Sequence, residues 1–441
     1  MSNIKPISAS NEQDRLSRAT NPILDPSLRM INGPINVVRL EGVVNSIHKV
    51  IYLFMDIHND VRDQTECRNI FSQDVQKYFV DTFRELGEEP GMYDFFVEIY
   101  PSELNGRRSS DTGLREPKER YIEEVVKVFQ KIFNYDPRRN KVTVNEMFDH
   151  VRLHYLDIRD YYKGSMLDAS GETTGIASRF MREDYVSSRE LMRIIDLMAE
   201  LRDYIKLVID ILTHPAPPSR SSSKPKVIGG PGTSRTGAPK QDRETMQYLA
   251  NKLHYVYSNP IVKREVSKLL DQSIRNFQSL VKTYDKTIQR FYGYVELINK
   301  SSGRLTSTTR STYLFNYGLD PIVEREMIVD ILTSTDLIHN EAFVEYFARF
   351  TDVYFLRRFL DKDYITNAVV YTGSLHSNTY IHFLVNRFNF RVTHASYSLV
   401  SNMSTLTKRI KELGVMETQE LFLPPIHRQC SDLTDFPEHF A

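Results

Sequence analysis

The sequence predicts an α/β protein: a mixed or mainly parallel sheet covered by helices, with a long antiparallel helical hairpin inserted into it. Three observations carry this expectation. Short, nearly unbroken apolar runs near both ends of the chain read as strands buried on both faces. Each is followed by a polar crest or turn and then a stretch with helical spacing, the alternation that marks a helix-covered sheet. The middle of the chain is different in kind, with apolar residues at alternating steps of three and four over some forty residues.

Taken in order, residues 1–33 are polar and broken by Asn21-Pro22, Asp25-Pro26 and Gly33-Pro34, so they read as an extended arm. The first half of the body, 34–165, opens on KVIYLFMDIHNDVRDQTEC (49–67), where Val50 to Phe54 form a buried strand and Asp56, His58, Asn59 and Asp60 its polar end. Ile70 to Leu86 carries a helical stripe that Gly87 stops. Tyr93 to Tyr100, YDFFVEIY, is a second buried strand with Glu98 as its charged residue, and 116–133 has helical periodicity. Val151 to Tyr161 alternates in period two before Asp157 and Arg159, which is a third strand with a polar end.

The inserted hairpin spans 183–300. Its first helix covers Tyr185 to Leu212 and is stopped by Pro215 to Pro218. The second has apolar residues from Val262 to Ile298 in a pattern that predicts a coiled-coil seam, about 55 Å long at roughly 1.5 Å per residue. Between them, 213–243 reads as a flexible linker: Pro215 to Gln241 has five basic residues and no acidic one. The second half of the body, 315–415, holds helices over 320–332 and 340–360, a strand at Ala368 to Tyr371, the turn Thr372-Gly373-Ser374 leading to His376 and a helix, and a last strand at Phe390 to Ala395. Residues 416–441 are left as a C-terminal tail.

Composition narrows the function classes. Hydrophobic and charged fractions of 41% and 26% over 441 residues are those of a globular protein, and Lys plus Arg balances Asp plus Glu at 57 each. A neutral chain gives no global case for sequence-specific nucleic acid binding. No apolar run is long enough for a transmembrane segment. Two cysteines, Cys67 and Cys430, make no disulfide framework, which fits a reducing cytosolic or nuclear compartment; Cys67 reads as a structural thiol or a nucleophile. Gly229-Gly230-Pro231-Gly232 lacks the Lys-Ser/Thr and the strand of a phosphate-cradling loop.

Asp56, His58, Glu98, Asp157 and His376 each stand at or near the end of a predicted strand, and ligands sit at the carboxyl ends of strands in such sheets. Two imidazoles and two or three carboxylates suit a divalent ion such as Mn²⁺, Co²⁺ or Zn²⁺: His58, Glu98 and His376 as metal ligands, with Asp56 or Asp157 as base. Arg159 is a substrate-binding candidate, or a partner of Asp157. His150 and His154, four apart, would suit a metal on a helix, but on a strand they share a face about 13 Å apart at roughly 3.3 Å per residue.

Two resemblances follow from these residues. The pair of strand-turn-His units is similar to the superfamily of the Tiki metalloproteases, the erythromycin esterases and the ChaN haem-binding lipoproteins. Gly373-Ser-Leu-His376 matches that superfamily's second Gly-x-x-His crest and Glu98 its intermediate acid. Met55-Asp-Ile-His58 matches the first crest with Met55 at the glycine position and Asp56 at the usual Glu. More closely, DIHNDVRDQTEC, VRLHYLDIRD and VVYTGSLHSNTYIHFL together resemble an uncharacterised group of proteins from giant double-stranded DNA viruses. The resemblance covers roughly 45–165 and 320–400.

Two functions from different classes are expected. One is a viral structural or interaction protein, such as a minor capsid protein, in the virion and in the host cytoplasm or nucleus. It would meet other viral structural proteins through the arm and the helical hairpin. The other is a metal-dependent hydrolase of amide or ester bonds using the strand-end residues.

Overall fold

The computed structural model describes residues 24–58, 66–86, 91–98, 121–133, 148–158, 164–214, 246–247, 249–254, 256–303, 319, 321–339 and 345–440. Most of the arm (1–23), Pro215 to Gln241 and Arg159 lie outside the described residues. In chain order the first elements are β1 (Met30–Asn32), β2 (Asn36–Val44), β3 (Ile47–Asp56), β4 (Gln73–Asp74), α1 (Val75–Glu85), β5 (Tyr93–Val97), α2 (Tyr121–Ile132) and β6 (Val151–Tyr155). A helical block follows: α3 (Gly164–Glu183), α4 (Ser188–Thr213), α5 (Pro260–Gly303), α6 (Pro321–His339) and α7 (Ala348–Asp361). The chain closes with β7 (Asn367–Gly373), α8 (Ser374–Phe388), β8 (Arg391–Ala395), α9 (Met403–Glu412), α10 (Val415–Phe422) and β9 (Cys430–Asp432). Contacts divide these into two compact units, one made of Met1–Asp157 with Arg358–Ala441 and the other of Ile158–Arg357.

The first unit is built on a six-stranded sheet in the order β6-β5-β7-β3-β2-β8. β6, β5, β7 and β3 run parallel, while β2 is antiparallel to both β3 and β8. Successive side chains of a strand point to opposite faces. On one face Val50, Tyr52 and Phe54 of β3, Val369 and Tyr371 of β7, and Tyr93, Phe95 and Val97 of β5 pack with Val75, Phe79 and Phe83 of α1 and Ile122, Val125 and Phe129 of α2. α8 packs against β3, β2 and β7, where Tyr380, Ile381, Leu384 and Val385 are buried. Ile51, Leu53, Met55, Ala368 and Val370 are buried too. Burial of both alternating sets is why VIYLF and AVVY are unbroken apolar runs.

A strand forms at each of the predicted stretches 50–54, 93–100, 151–161, 368–371 and 390–395, though β5 ends at Val97 and β6 at Tyr155, and 99–100 and 159–161 lie outside the described residues. Three differences stand out. No strand was expected over Asn36–Val44, yet β2 pairs with β3 along its whole length through a turn whose Asn45 and Ser46 both have positive φ, 52° and 64°, the geometry of a two-residue hairpin. Arg39, which disguises β2, is buried and donates to Tyr52 Oη, Glu41 and Thr393. The helix expected over 70–86 begins only at Val75, because Gln73–Asp74 pairs in parallel with β1. Residues 416–441 contribute α10, β9 and two aromatics, Phe436 and Phe440, buried against Tyr52.

In the second unit, α4 and α5 are antiparallel. Ser188 at the start of α4 bonds Asn299 near the end of α5, at 3.0 Å, and Arg202 meets Asp285 at 3.0 Å. The stripe read from the sequence is the packed one: Val262, Val266, Leu270, Phe277, Tyr284, Ile288 and Phe291 are all buried. α3, which the periodicity reading left out, packs on α4 and α6.

Phe79 touches Phe54, Phe83, Phe95, Phe129 and Tyr371 from the centre of the first core. Phe79→Ala is expected to destabilise this unit by about 3–5 kcal/mol, read as a lowered midpoint in urea unfolding followed by tyrosine fluorescence.

Candidate functional site

Because β3, β7, β5 and β6 are parallel, their carboxyl ends share one edge of the sheet. β7 is central there, flanked by β3 and β5. Asp56 ends β3 opposite Gly373 of β7, Glu98 directly follows β5, and His376 lies in the first turn of α8. Segments more than 300 residues apart thus meet.

Glu98 is the hub. It is 2% exposed, and its Oε2 accepts from Thr372 Oγ1 at 2.8 Å and from the Gly373 backbone N–H at 2.6 Å. His58 Nε2 stands 3.4 Å from Oε2, and His376 Nε2 stands 3.4 Å from Oε1. Burial opposes ionisation of Glu98, but His376 and His58 outweigh it and hold the carboxyl well below its usual range. Burial likewise disfavours a charged His58, yet Glu98 and Asp56 lift its pKa to about 10.

Gly373 is required by space. A Cβ there would sit 2.9 Å from His58 Nε2 and 3.3 Å from Glu98 Oε2. His58 has φ +53°, a left-handed conformation that costs a non-glycine residue on the order of 1 kcal/mol. Its backbone N–H donates to Asp56 Oδ1 at 2.8 Å, which holds the turn. Asp56 Oδ1 also accepts from Gln429 Nε2 at 3.0 Å. Asp56 Oδ2 faces His58 Nδ1 at 3.7 Å, and both atoms are buried without a hydrogen bond of normal geometry.

Of the expected site residues, the fold brings His58, Glu98, His376 and Asp56 together. Asp157 is buried two residues beyond β6 on the same edge, and Arg159 lies outside the described residues. His150 and His154 do not form a pair. His150 Nδ1 meets Gly91 O at 3.0 Å. His154 stacks on Phe96, its Nδ1 accepting from Arg358 at 2.9 Å and its Nε2 2.6 Å from Asp94, which Arg152 holds through two bonds. Gln429, Thr372 and Tyr371 were not singled out from sequence. The Tyr371 phenol lies beside Asp56, and burial with that carboxylate pushes its pKa well up.

The expectation of two free thiols is corrected: Cys67 and Cys430 form a disulfide. β1 and β9 align Asn32 with Cys430, while the Cys67 backbone N–H donates to Asn32 Oδ1 at 2.8 Å. This registry brings the two cysteines side by side. Cys430 directly follows Gln429, so the bond anchors the segment that holds Asp56.

The family model for a family of unknown function (DUF5847) matches residues 29–441. The chain belongs to this family. Three proteins of Acanthamoeba polyphaga mimivirus, each an "Uncharacterized protein", are similar to it over nearly their whole length. R706 is 47% identical, covering 95% of this chain and 99% of its own; R161 is 36% identical, covering 95% and 99%. R160 is 32% identical, covering 95% and 98%. Family membership thus accords with the expected viral kinship. No solved structure matches. Among the described residues, no helix is long and apolar enough to cross a membrane.

Two outcomes are expected. Burial and the Arg358 charge outweigh Asp94 and push the His154 pKa down to about 4. Because folding lowers this pKa, the neutral ring's stabilisation is complete above the unfolded value of about 6.5 and fades as pH falls toward 4. Wild type should therefore lose more stability than His154→Gln between pH 7 and 4.5 in thermal melts. Cys67→Ser/Cys430→Ser is expected to cost about 2–4 kcal/mol; dithiothreitol should lower the wild-type urea midpoint to the variant's and leave the variant unchanged.

Proposed function

We propose that the strand-end cluster is a divalent-cation centre of a hydrolase acting on amide or ester bonds. The observation that supports this reading is one buried carboxylate, Glu98, met by the Nε2 atoms of two imidazoles from opposite ends of the chain. The donor set suits Mn²⁺, Co²⁺ or Zn²⁺. The unsatisfied Asp56 Oδ2 and His58 Nδ1 fit a carboxylate–histidine pair that orients a ligand from behind. Gly373, lacking a side chain, leaves the room that His58 Nε2 and Glu98 Oε2 occupy. Among the described residues no three such side chains already stand arranged to hold an ion, so loading requires a shift. The His58 side chain, a third exposed and on a strained turn, is the one free to make it.

His58, Glu98 and His376 would hold the ion, whose chemistry is to acidify a water at neutral pH. Asp56 holds the His58 backbone N–H and Gln429 through Oδ1 and turns its buried Oδ2 toward His58 Nδ1, so it positions His58 rather than acting as base. The proton-transfer role is then proposed for Asp157, buried on the same edge of the sheet, and Arg159 is the candidate for binding substrate. This reading is the one implied by the resemblance of Gly373-Ser-Leu-His376 to the Tiki, erythromycin esterase and ChaN superfamily.

A second reading, a virion-associated structural protein, draws support from the helical unit. Ile261 and Leu297 of α5 and Ile322, Val329 and Leu337 of α6 are exposed apolar side chains on long helices. Such residues suit contacts with other viral structural proteins.

Elemental analysis separates the two. Wild type incubated with Mn²⁺, Co²⁺ and Zn²⁺ and then desalted should retain about one equivalent of metal, and a folded His58→Ala/His376→Ala variant should retain none. No retained metal in wild type, together with recovery of the protein from purified particles, would favour the structural role.

A further inference from the structure

A second constellation lies in the unit formed by Ile158–Arg357 and is independent of the strand-end cluster. α3 and α4 border an open groove of about 850 Å³. Its floor is Gly175 and the buried Ile176, and a Cβ on Gly175 would meet nothing within 4 Å. Four guanidiniums line the walls: Arg179 and Arg182 from α3, Arg189 and Arg193 from α4.

These arginines are of two kinds. Arg193 is clamped by Glu172 through two bonds of 2.8 Å, and Arg179 is held by Glu190 at 3.3 Å. Both keep unused N–H donors, and the two bonds to Glu172 fix the Arg193 guanidinium in place, the arrangement that makes arginine a directional oxyanion binder. Arg182 and Arg189 have no carboxylate at ion-pair distance among the described residues, so two positive charges in the groove are uncompensated. Asp184, in the turn between the helices, is already taken by Arg325 at 2.8 Å. Ser187, the N-cap of α4, closes the same end of the groove. Ser187 Oγ accepts from the Glu190 N–H at 3.4 Å and Ser187 O from the Leu191 N–H at 2.9 Å, so the first-turn N–H groups of Ser188 and Arg189 and the positive end of the 26-residue helix are what add to the attraction for an anion. In a chain whose charges cancel overall, this concentration is local.

We propose that the groove binds an organic phosphate, with the phosphoryl group between Arg182 and Arg189 at the start of α4 and the organic part over Gly175. The volume lies within the range of small-molecule sites. Glu172 and Glu190 set the orientation of the remaining arginines and reject ligands that carry carboxylates along the groove.

Calorimetric titration of the full chain with ATP, and separately with inorganic phosphate, tests this. EDTA is present so that divalent ions at His58 and His376 contribute nothing. ATP is expected to bind saturably, more tightly than phosphate, and Arg182→Ala/Arg189→Ala to weaken it by about tenfold or more, roughly one decade per 1.4 kcal/mol. Gly175→Leu fills the floor without changing charge, so it should weaken ATP and leave phosphate unchanged. Absence of saturable ATP binding at millimolar concentration overturns the proposal. So does ATP affinity that survives either variant, with circular dichroism confirming that both are folded.

Discussion

The site depends on one constraint: the parallel pairing of β3, β7 and β5 with both faces of the sheet covered. Parallel strands cannot be joined by tight turns, so neighbours at this edge come from distant parts of the chain. They also end on the same side, which carries every strand-terminal polar residue to one place. The cost appears at Glu98, whose carboxylate is removed from water. An ionised group there persists only when it is paired and hydrogen-bonded, and Thr372, Gly373, His58 and His376 supply those partners. Gly373 lacks a side chain because two of these groups occupy that space, and His58 bends left-handed because Asp56 holds it there.

How much of this was legible follows from which signals are local. VIYLF, YDFFV and AVVY announced strands because burial on both faces leaves no polar alternation, and their polar ends marked Asp56, His58, Glu98 and His376. β2 stayed hidden because NVVRLEGVV carries Arg39, Glu41 and Gly42, whose place in the strand depends on tertiary partners: Arg39, beside its bond to Glu41, meets Tyr52 and Thr393, Glu41 meets Arg391, and the Phe390 ring fills the space of Gly42's missing side chain. Two- and three-residue strands such as β4, β1 and β9 are too short to express a period. α3 stayed hidden because Gly171, Gly175 and five small hydroxyl residues dilute its apolar stripe.

Gln429 had no signal at all. Its role is to reach Asp56 from 373 positions away, and an isolated glutamine in a Pro-rich stretch offers no pattern to read. The cysteines failed for a related reason. A count of two argues against a framework, but it is silent about whether those two meet, and that is decided by the pairing of β1 with β9.

That disulfide has a topological consequence. It joins residues 363 positions apart, and both lie in the unit that the helical block interrupts. The whole of Ile158–Arg357 is therefore enclosed in a covalent ring. A single backbone cut anywhere in that block opens the ring without dividing the molecule: the two pieces of the sheet unit, and with them His58 and His376, stay tethered through sulfur. Cleavage and separation become distinct events, the second controlled by the reducing power of the surroundings.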